Sequence, residues 1–205
     1  MKNYFKKFFG HLRNIILHKF YVFIYCCKFG IPVQGIFHDL SKFSPTEFFE
    51  SVKYYTGDSS PIDNCKKVNG YSRAWLHHRG RNKHHWEYWV DDFDKGMDYK
   101  LMPFKYNLEM ICDFIAAGRV YNGKTFSIDN ENEWWKANRD KKLMHFVNKA
   151  LVDFVFAYFS LHKELPTKKR LKTIYEEWVS IQKWKNLGEY YGIILDLCAE
   201  NSDKK

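Results

Sequence analysis

The chain of 205 residues is 45% hydrophobic and 28% charged. That balance excludes an intrinsically disordered polypeptide and suffices for one sizeable core. Lysine and arginine outnumber aspartate and glutamate by 33 to 24, and the resulting charge of +9 favours an anionic partner such as a phosphate ester, nucleic acid or an acidic membrane surface, beside the plainer reading of a solvated basic surface.

From the N-terminus, Phe5, Phe8, Phe9, Leu12, Ile15, Ile16 and Phe20 recur at three-and-four spacing. They predict a helix over 4–29, ended by Gly30 and Pro32. Its apolar run Ile15–Cys27 contains His18 and Lys19 and is too short to span a bilayer, as is Ala150–Leu161 with Asp153. "MKNYFKKFFGHLRN" is basic, but no small-residue cleavage site follows, so a secretory leader is not expected. An amphipathic helix on a membrane surface stays open. The five cysteines (Cys26, Cys27, Cys65, Cys112, Cys198) form no CxxC pair. Their odd number argues against a secreted disulfide framework and fits a reducing cytoplasm.

A second helix is expected at Ile36–Leu40. Ser44-Pro45 reads as an N-cap and a first-turn proline, opening a helix over Thr46–Tyr55. "TGDSSPIDN" is dense in breakers and reads as a loop. Gly70–His78 reads as a short helix broken by "RGRN" and resumed from His84 to about Phe93. Met102–Lys124 is the strongest helix, with Tyr106, Met110, Phe114, Ala117 and Tyr121 in period. Helices over 142–164, 168–185 and 187–199 complete the chain, with Pro166 between the first two. No alternating strand pattern occurs, so the expected class is all-α.

Four of the nine histidines fall within "AWLHHRGRNKHHWEYW", beside Arg79, Arg81 and Lys83. Protonated imidazoles packed there would repel one another, whereas neutral ones with lone pairs on a metal ion would not. His18, His38-Asp39, His77-His78, His84-His85 and Asp113 follow in order on successive elements. For any one of them, a packed core residue is the commoner role; the set is what points to a metal. On a helix His38 and Asp39 would point about 100° apart, leaving a carboxylate oxygen for a second ion. Lys42 lies on the same face and would neutralise a phosphate oxygen or simply pair with Asp39. Asp113, within "EMICDFIAA", is costly to bury unless it binds metal or pairs with a cation such as Arg119. Glu109, one turn earlier, suits an orienting partner or an extra ligand.

The ordered pattern, and in particular "QGIFHDLSKFSPTEFFESVKYYTG", "AWLHHRGRNKHHWEYW" and "MPFKYNLEMICDFIAAG", resembles the HD-domain metal-dependent phosphohydrolase superfamily, and within it an uncharacterised bacterial and phage family. The similarity spans roughly His18 to Lys124. The resemblance implies an HD-like helical bundle, taken over 1–165; the stretch 166–205 has no counterpart in it and is expected as a C-terminal helical extension packed on that bundle. It implies His18 as the first histidine, with His11 as the competing candidate. His38 and Asp39 form the doublet, Asp39 bridging two ions, and Asp113 is the terminal aspartate. One histidine from each pair completes the second site: His78 and His84 are favoured, with His77 and His85 as alternates.

The expected cofactor is one or two divalent ions, Fe, Mn, Co, Ni or Zn. The expected activity is hydrolysis of a phosphomonoester or phosphodiester, such as a nucleotide or related small molecule. Asp39 and Lys42 would be catalytic, and Arg79, Arg81 and Lys83 would bind the phosphate. Trp75, Trp86, Tyr88 and Trp89 would stack a base or, more simply, pack as core. Two alternatives stand beside this. Some HD-type proteins use a mixed-valent di-iron pair to activate O₂. "KELPTKKRLK" (Lys163 to Lys172) would instead suit a non-catalytic nucleic-acid binder, or be the solvated start of a helix. The oligomeric state is not legible.

Overall fold

The computed structural model describes residues 2–91, 96 and 98–181. The fold is all-α. Helix α1 (Lys2–Lys28) is ended by Gly30, whose φ of 66° lies in the left-handed region. Pro32 does more than stop α1. It opens α2 (Pro32–Phe37), where its fixed φ and missing N–H suit a first turn. The second helix therefore precedes the His38-Asp39 doublet instead of spanning Ile36–Leu40. A single 3₁₀ turn, Leu40–Phe43, follows the doublet.

Helix α3 (Pro45–Tyr54) starts as its cap predicts: the Ser44 hydroxyl accepts from the Glu47 amide at 3.4 Å. The same device recurs at Ser60-Pro61, within the stretch read as a loop. Ser60 accepts from the Asp63 amide and opens α4 (Pro61–Asn69). Gly70, at φ 78°, closes α4, and α5 (Arg73–Arg79) begins only after Ser72. No helix resumes at His84. The chain turns there, makes one 3₁₀ turn over Trp86–Trp89, and forms a two-residue antiparallel pair, β1 (Val90–Asp91) with β2 (Asp98–Tyr99). Helices α6 (Phe104–Asn122), α8 (Phe146–His162) and α9 (Lys168–Ser180) lie inside their predicted spans. Helix α7 (Ile128–Asn138) was not anticipated. Ser127 caps it, and Asp129 and Glu131 sit at its positive end. The 187–199 helix lies outside the described residues.

The core is built on α8, whose Leu151, Phe154, Val155 and Phe156 are fully buried. Around them lie Val22 of α1, Ile111 and Ile115 of α6, Trp135 of α7 and Leu171 of α9. The described part of the C-terminal extension thus shares this core, and the Tyr175 hydroxyl donates to the Met102 carbonyl at 2.8 Å. Asp153, a carboxylate inside apolar α8, is neutralised by Arg139 at 2.6 Å and also accepts from Trp135. A smaller cluster of Ile15, Phe48 and Val52 seats α3 on α1.

Two buried positions set expected outcomes. A Cβ on Gly35 would lie 2.9 Å from the Cα of Phe23 and 2.9 Å from the Cβ of Cys26. Backbone cannot give way there, so Gly35→Ala should push α2 off α1 and cost about 1–3 kcal/mol. Because α2 leads directly into His38, the loss should appear both in urea unfolding and in ion retention.

Glu131 is 6% exposed, and its Oε2 has no hydrogen-bond partner. Burial pushes its carboxyl up to about 7. A carboxyl whose proton affinity is higher folded than unfolded favours the fold at low pH, and that benefit fades as pH rises from about 4.5 through 7. Glu131→Gln should therefore raise stability by about 1–2 kcal/mol at pH 8 and change it little at pH 5, read by denaturant titration at both pH values.

Candidate metal centre

Four elements deliver the site. Helix α1 carries His18, three turns before its end, on the buried face. The turn after α2 carries the doublet. His38 is extended (φ −53°, ψ 130°), and Asp39 takes the left-handed conformation (φ 53°, ψ 30°), which aspartate tolerates better than most residues. This correction matters. The two side chains are not splayed along one helix; the reversal at Asp39 turns both toward one point. The last turn of α5 supplies His77 and His78, the following turn His84 and His85, and α6 supplies Glu109 and Asp113.

The Asp39 carboxylate is the centre. Its Oδ2 lies 3.2 Å from His38 Nε2 and 3.7 Å from His18 Nε2, and its Oδ1 lies 3.3 Å from both His78 Nε2 and His84 Nε2. Asp113 Oδ1 is 3.0 Å from His18 Nε2 and 3.7 Å from His38 Nε2. Donor atoms of His18, His38, Asp39 and Asp113 lie within 4.8 Å of one another; so do those of Asp39, His78, His84 and His85. Asp39 belongs to both groups.

The outward nitrogens are held in turn. His38 Nδ1 and His84 Nδ1 both meet one oxygen of Glu109, at 3.0 and 3.1 Å. His78 Nδ1 meets Glu47 Oε2 at 2.7 Å, and His77 Nδ1 meets the other Glu47 oxygen at 2.6 Å. A carboxylate on Nδ1 fixes the ring and leaves Nε2 to bind a metal. Both oxygens of Asp39, and the Nε2 atoms of His84 and His85, are buried without a hydrogen bond of good geometry. Lys42 Nζ stands 2.6 Å from Asp39 Oδ2.

The electrostatics follow. Burial alone would raise Asp39, but the charges of His38 and Lys42 hold it well below the usual carboxylate range. Asp113 is likewise held well below it, by His18 and His38 against burial. Burial lowers His78, yet Asp39 and Glu47 bring it to about 9. Burial and the nearby Lys42 bring His18 down to about 4. Burial and His84 press His85 well below its ordinary value. A cluster this crowded with buried nitrogens and carboxylates fits a divalent ion. Ligands about 2.1 Å from one ion lie roughly 3–3.5 Å apart, close to the spacing seen here. The buried His, Asp and Glu groups can therefore hold metal.

Each candidate residue now has a place. His18, His38, Asp39, His78, His84 and Asp113 converge. His85 joins them through its unpartnered Nε2, so the second pair contributes both members. His77 is turned to Glu47. Glu109 lies behind His38 and His84, where it can orient their rings or, its donor atom within 4.8 Å of theirs, hold a metal with them. Asp113 is not paired with Arg119, whose Nε donates to the Tyr25 hydroxyl at 2.6 Å. Glu47 was missed, although its position three residues after a helix cap could have flagged it.

His11 is buried in van der Waals reach of Phe48 and Tyr55 and lines a cavity of about 150 Å³ with Asn14, His18, Lys42, Asp113 and Tyr121. Arg79, Arg81 and Lys83 are not brought to this cavity. Arg81 and Lys83 border a second depression with His84, Tyr106 and Glu109, so it meets the cluster from another side, and Arg79 lines neither. Trp75 packs against His78 and His85, with ring centroids 6.0 and 5.1 Å apart, while Trp86 and Trp89 pack on the core and Tyr88 is 39% exposed. In the basic segment, Lys163 pairs with Asp129, Lys168 donates to the Gly30 carbonyl, Lys172 pairs with Glu176, and Arg170 lies over Phe154 and Tyr158.

No curated protein and no solved structure matches the chain. A family model does, described as a family of unknown function, DUF5662, over residues 7–160. That span includes every residue from His18 to Asp113 that builds the cluster, and the chain belongs to this family.

Proposed function

We propose that the chain is a metal-dependent phosphohydrolase of the HD-domain type, with two ion sites sharing Asp39. One observation carries the reading: the inner nitrogens of His38, His78 and His84 face the Asp39 carboxylate while their outer nitrogens are held by Glu109 or Glu47. Simple ion pairing would not need that second ring of carboxylates. His18, His38, Asp39 and Asp113 would hold one ion; Asp39, His78, His84 and His85 would hold the other. Nitrogen and oxygen donors suit Fe, Mn, Co, Ni or Zn. Divalent ions at such a pair supply Lewis acidity, lowering the pKa of water and offsetting charge on phosphoryl oxygens.

The chain's own groups do the rest. Burial lowers the proton affinity of Lys42, but Asp39 and Asp113 outweigh it and keep the ammonium charged. On the cavity wall that ammonium is placed to neutralise a phosphate oxygen, as expected of it, whereas Arg79, Arg81 and Lys83 do not line this cavity. His11, brought down to about 4 by burial and by Lys42, is neutral near pH 7 and offers one donor and one acceptor to the leaving group. Asn14 stands one turn further toward His18 on the same wall. A cavity of about 150 Å³ is below the roughly 300–1,000 Å³ of typical ligand sites. It accepts a phosphoryl group and a few further heavy atoms, so a nucleotide's base would lie at the mouth.

Metal analysis of protein expressed in replete medium should find one to two equivalents, and generic phosphate esters should be turned over with added Mn²⁺, Co²⁺ or Fe²⁺. Retention of fewer than about 0.2 equivalents, together with no turnover, would overturn the proposal. Turnover with redox-inert Zn²⁺ would separate hydrolysis from di-iron oxygen activation as the sole activity.

A further inference from the structure

Helix α1 has two apolar faces. Ile15, His18, Val22, Tyr25 and Cys26 turn inward and are buried. Roughly 130° round the helix, at 100° per residue, Phe5, Phe9, Ile16, Phe20 and Phe23 form a second stripe that is 38% to 61% exposed. Ile36 and Leu40, on either side of the doublet, are 54% and 51% exposed. Lys19 donates to the carbonyls of Ile36 and His38 and ties that segment beside the stripe. A half-exposed phenylalanine shows on the order of 100 Å², so these seven residues present about 700 Å², more than a monomer usually leaves uncovered.

Charge decides what covers the face. The 27 residues of α1 include six lysines and arginines and no aspartate or glutamate. Stacking a second copy's α1 on the stripe would lay one basic helix on another, with no acidic residue on either helix to pair Lys6 or Arg13. An anionic lipid surface meets both demands at once: phenylalanines enter the headgroup boundary, and the flanking lysines and Arg13 reach phosphate groups. No helix of the described residues is long and apolar enough to cross a membrane. We propose that α1 lies in the plane of an anionic bilayer, docked through Phe5, Phe9, Ile16, Phe20 and Phe23.

The full chain should be sedimented with vesicles of phosphatidylcholine alone and of phosphatidylcholine with one-third phosphatidylglycerol. Partition is expected to be at least about tenfold stronger on the anionic vesicles. The double variant Phe9→Ser/Phe20→Ser should lose about tenfold, and Lys6→Glu/Arg13→Glu should lose the anionic preference. Both pairs are exposed, so circular dichroism should show unchanged helix content. Equal partition on both vesicles, or no partition by a monomeric protein, overturns the proposal, the latter assigning the face to a protein partner. A dimer in light scattering that Phe9→Ser/Phe20→Ser dissociates also overturns it, in favour of a second copy.

Discussion

Replacing Asp39 with asparagine should leave fewer than about 0.2 ion equivalents bound and lower phosphate-ester turnover by about 1,000-fold or more. Asparagine is the informative substitution because it also tolerates the left-handed backbone at φ 53°, so the turn is kept and only the carboxylate is lost. One oxygen then serves where two served. The amide –NH₂ faces either the His18–His38 side or the His78–His84 side, where it cannot bind an ion. Lys42 loses its partner, but its side chain is 26% exposed and can turn to solvent, so the stability cost should stay near 1–2 kcal/mol rather than that of a fully buried broken pair. Atomic absorption and denaturant titration on the same preparation separate the two effects: lost ion with a retained fold is the expected result. Full ion retention would mean that Asp39 is not shared.

The second large effect belongs to Glu109, which lies outside both proposed donor sets. One of its oxygens receives Nδ1 of both His38 and His84, one from each proposed site. Glu109→Ala should weaken ion binding about 10–100-fold at both sites together, because both rings lose the contact that fixes their tautomer. Glu109→Gln keeps an acceptor oxygen at the same place and should recover most of that loss. Titration with Mn²⁺ followed by electron paramagnetic resonance reads the two affinities. Weakening at one site only would show that Glu109 orients a single ring. Asp113 and Glu109 share a helix face one turn apart, so a variant that damaged α6 itself would also unfold the core; the glutamine rescue guards against that reading.

Much of this was legible in the chain. Caps such as Ser44-Pro45 and the periodic apolar residues of 102–124 set helix positions by local chemistry alone, and the ligand candidates stood out because clustered histidines and a carboxylate inside "EMICDFIAA" are costly without a reason. What failed to show was set by tertiary geometry or by weak signals. Ser60-Pro61 carried the same cap signal as Ser44-Pro45, but the glycine and serines before it masked α4. Helix α7 has little apolar period because two of its four buried positions, Glu131 and Asn132, are polar. The reversal at Asp39 has no sequence mark beyond an aspartate, which is only one of several residue types that tolerate left-handed backbone. Arg79, Arg81 and Lys83 are near the histidines in sequence, yet none lines the cavity at His18 and Asp113; Arg81 and Lys83 reach the cluster only from the side of His84 and Glu109.

The donors come from separate elements between His18 and Asp113, while the loop at Thr56–Ser59 contributes nothing to them and is bonded only to itself and to Asn64. Tolerance to length change should therefore be sharply uneven. Extra residues between Gly57 and Asp58 ought to be absorbed, whereas a single insertion between Ile31 and Ser44, or between Gly80 and His85, would rotate donors out of register. The loop at Thr56–Ser59 is thus a place in the described chain where a foreign segment could be grafted without moving the donors.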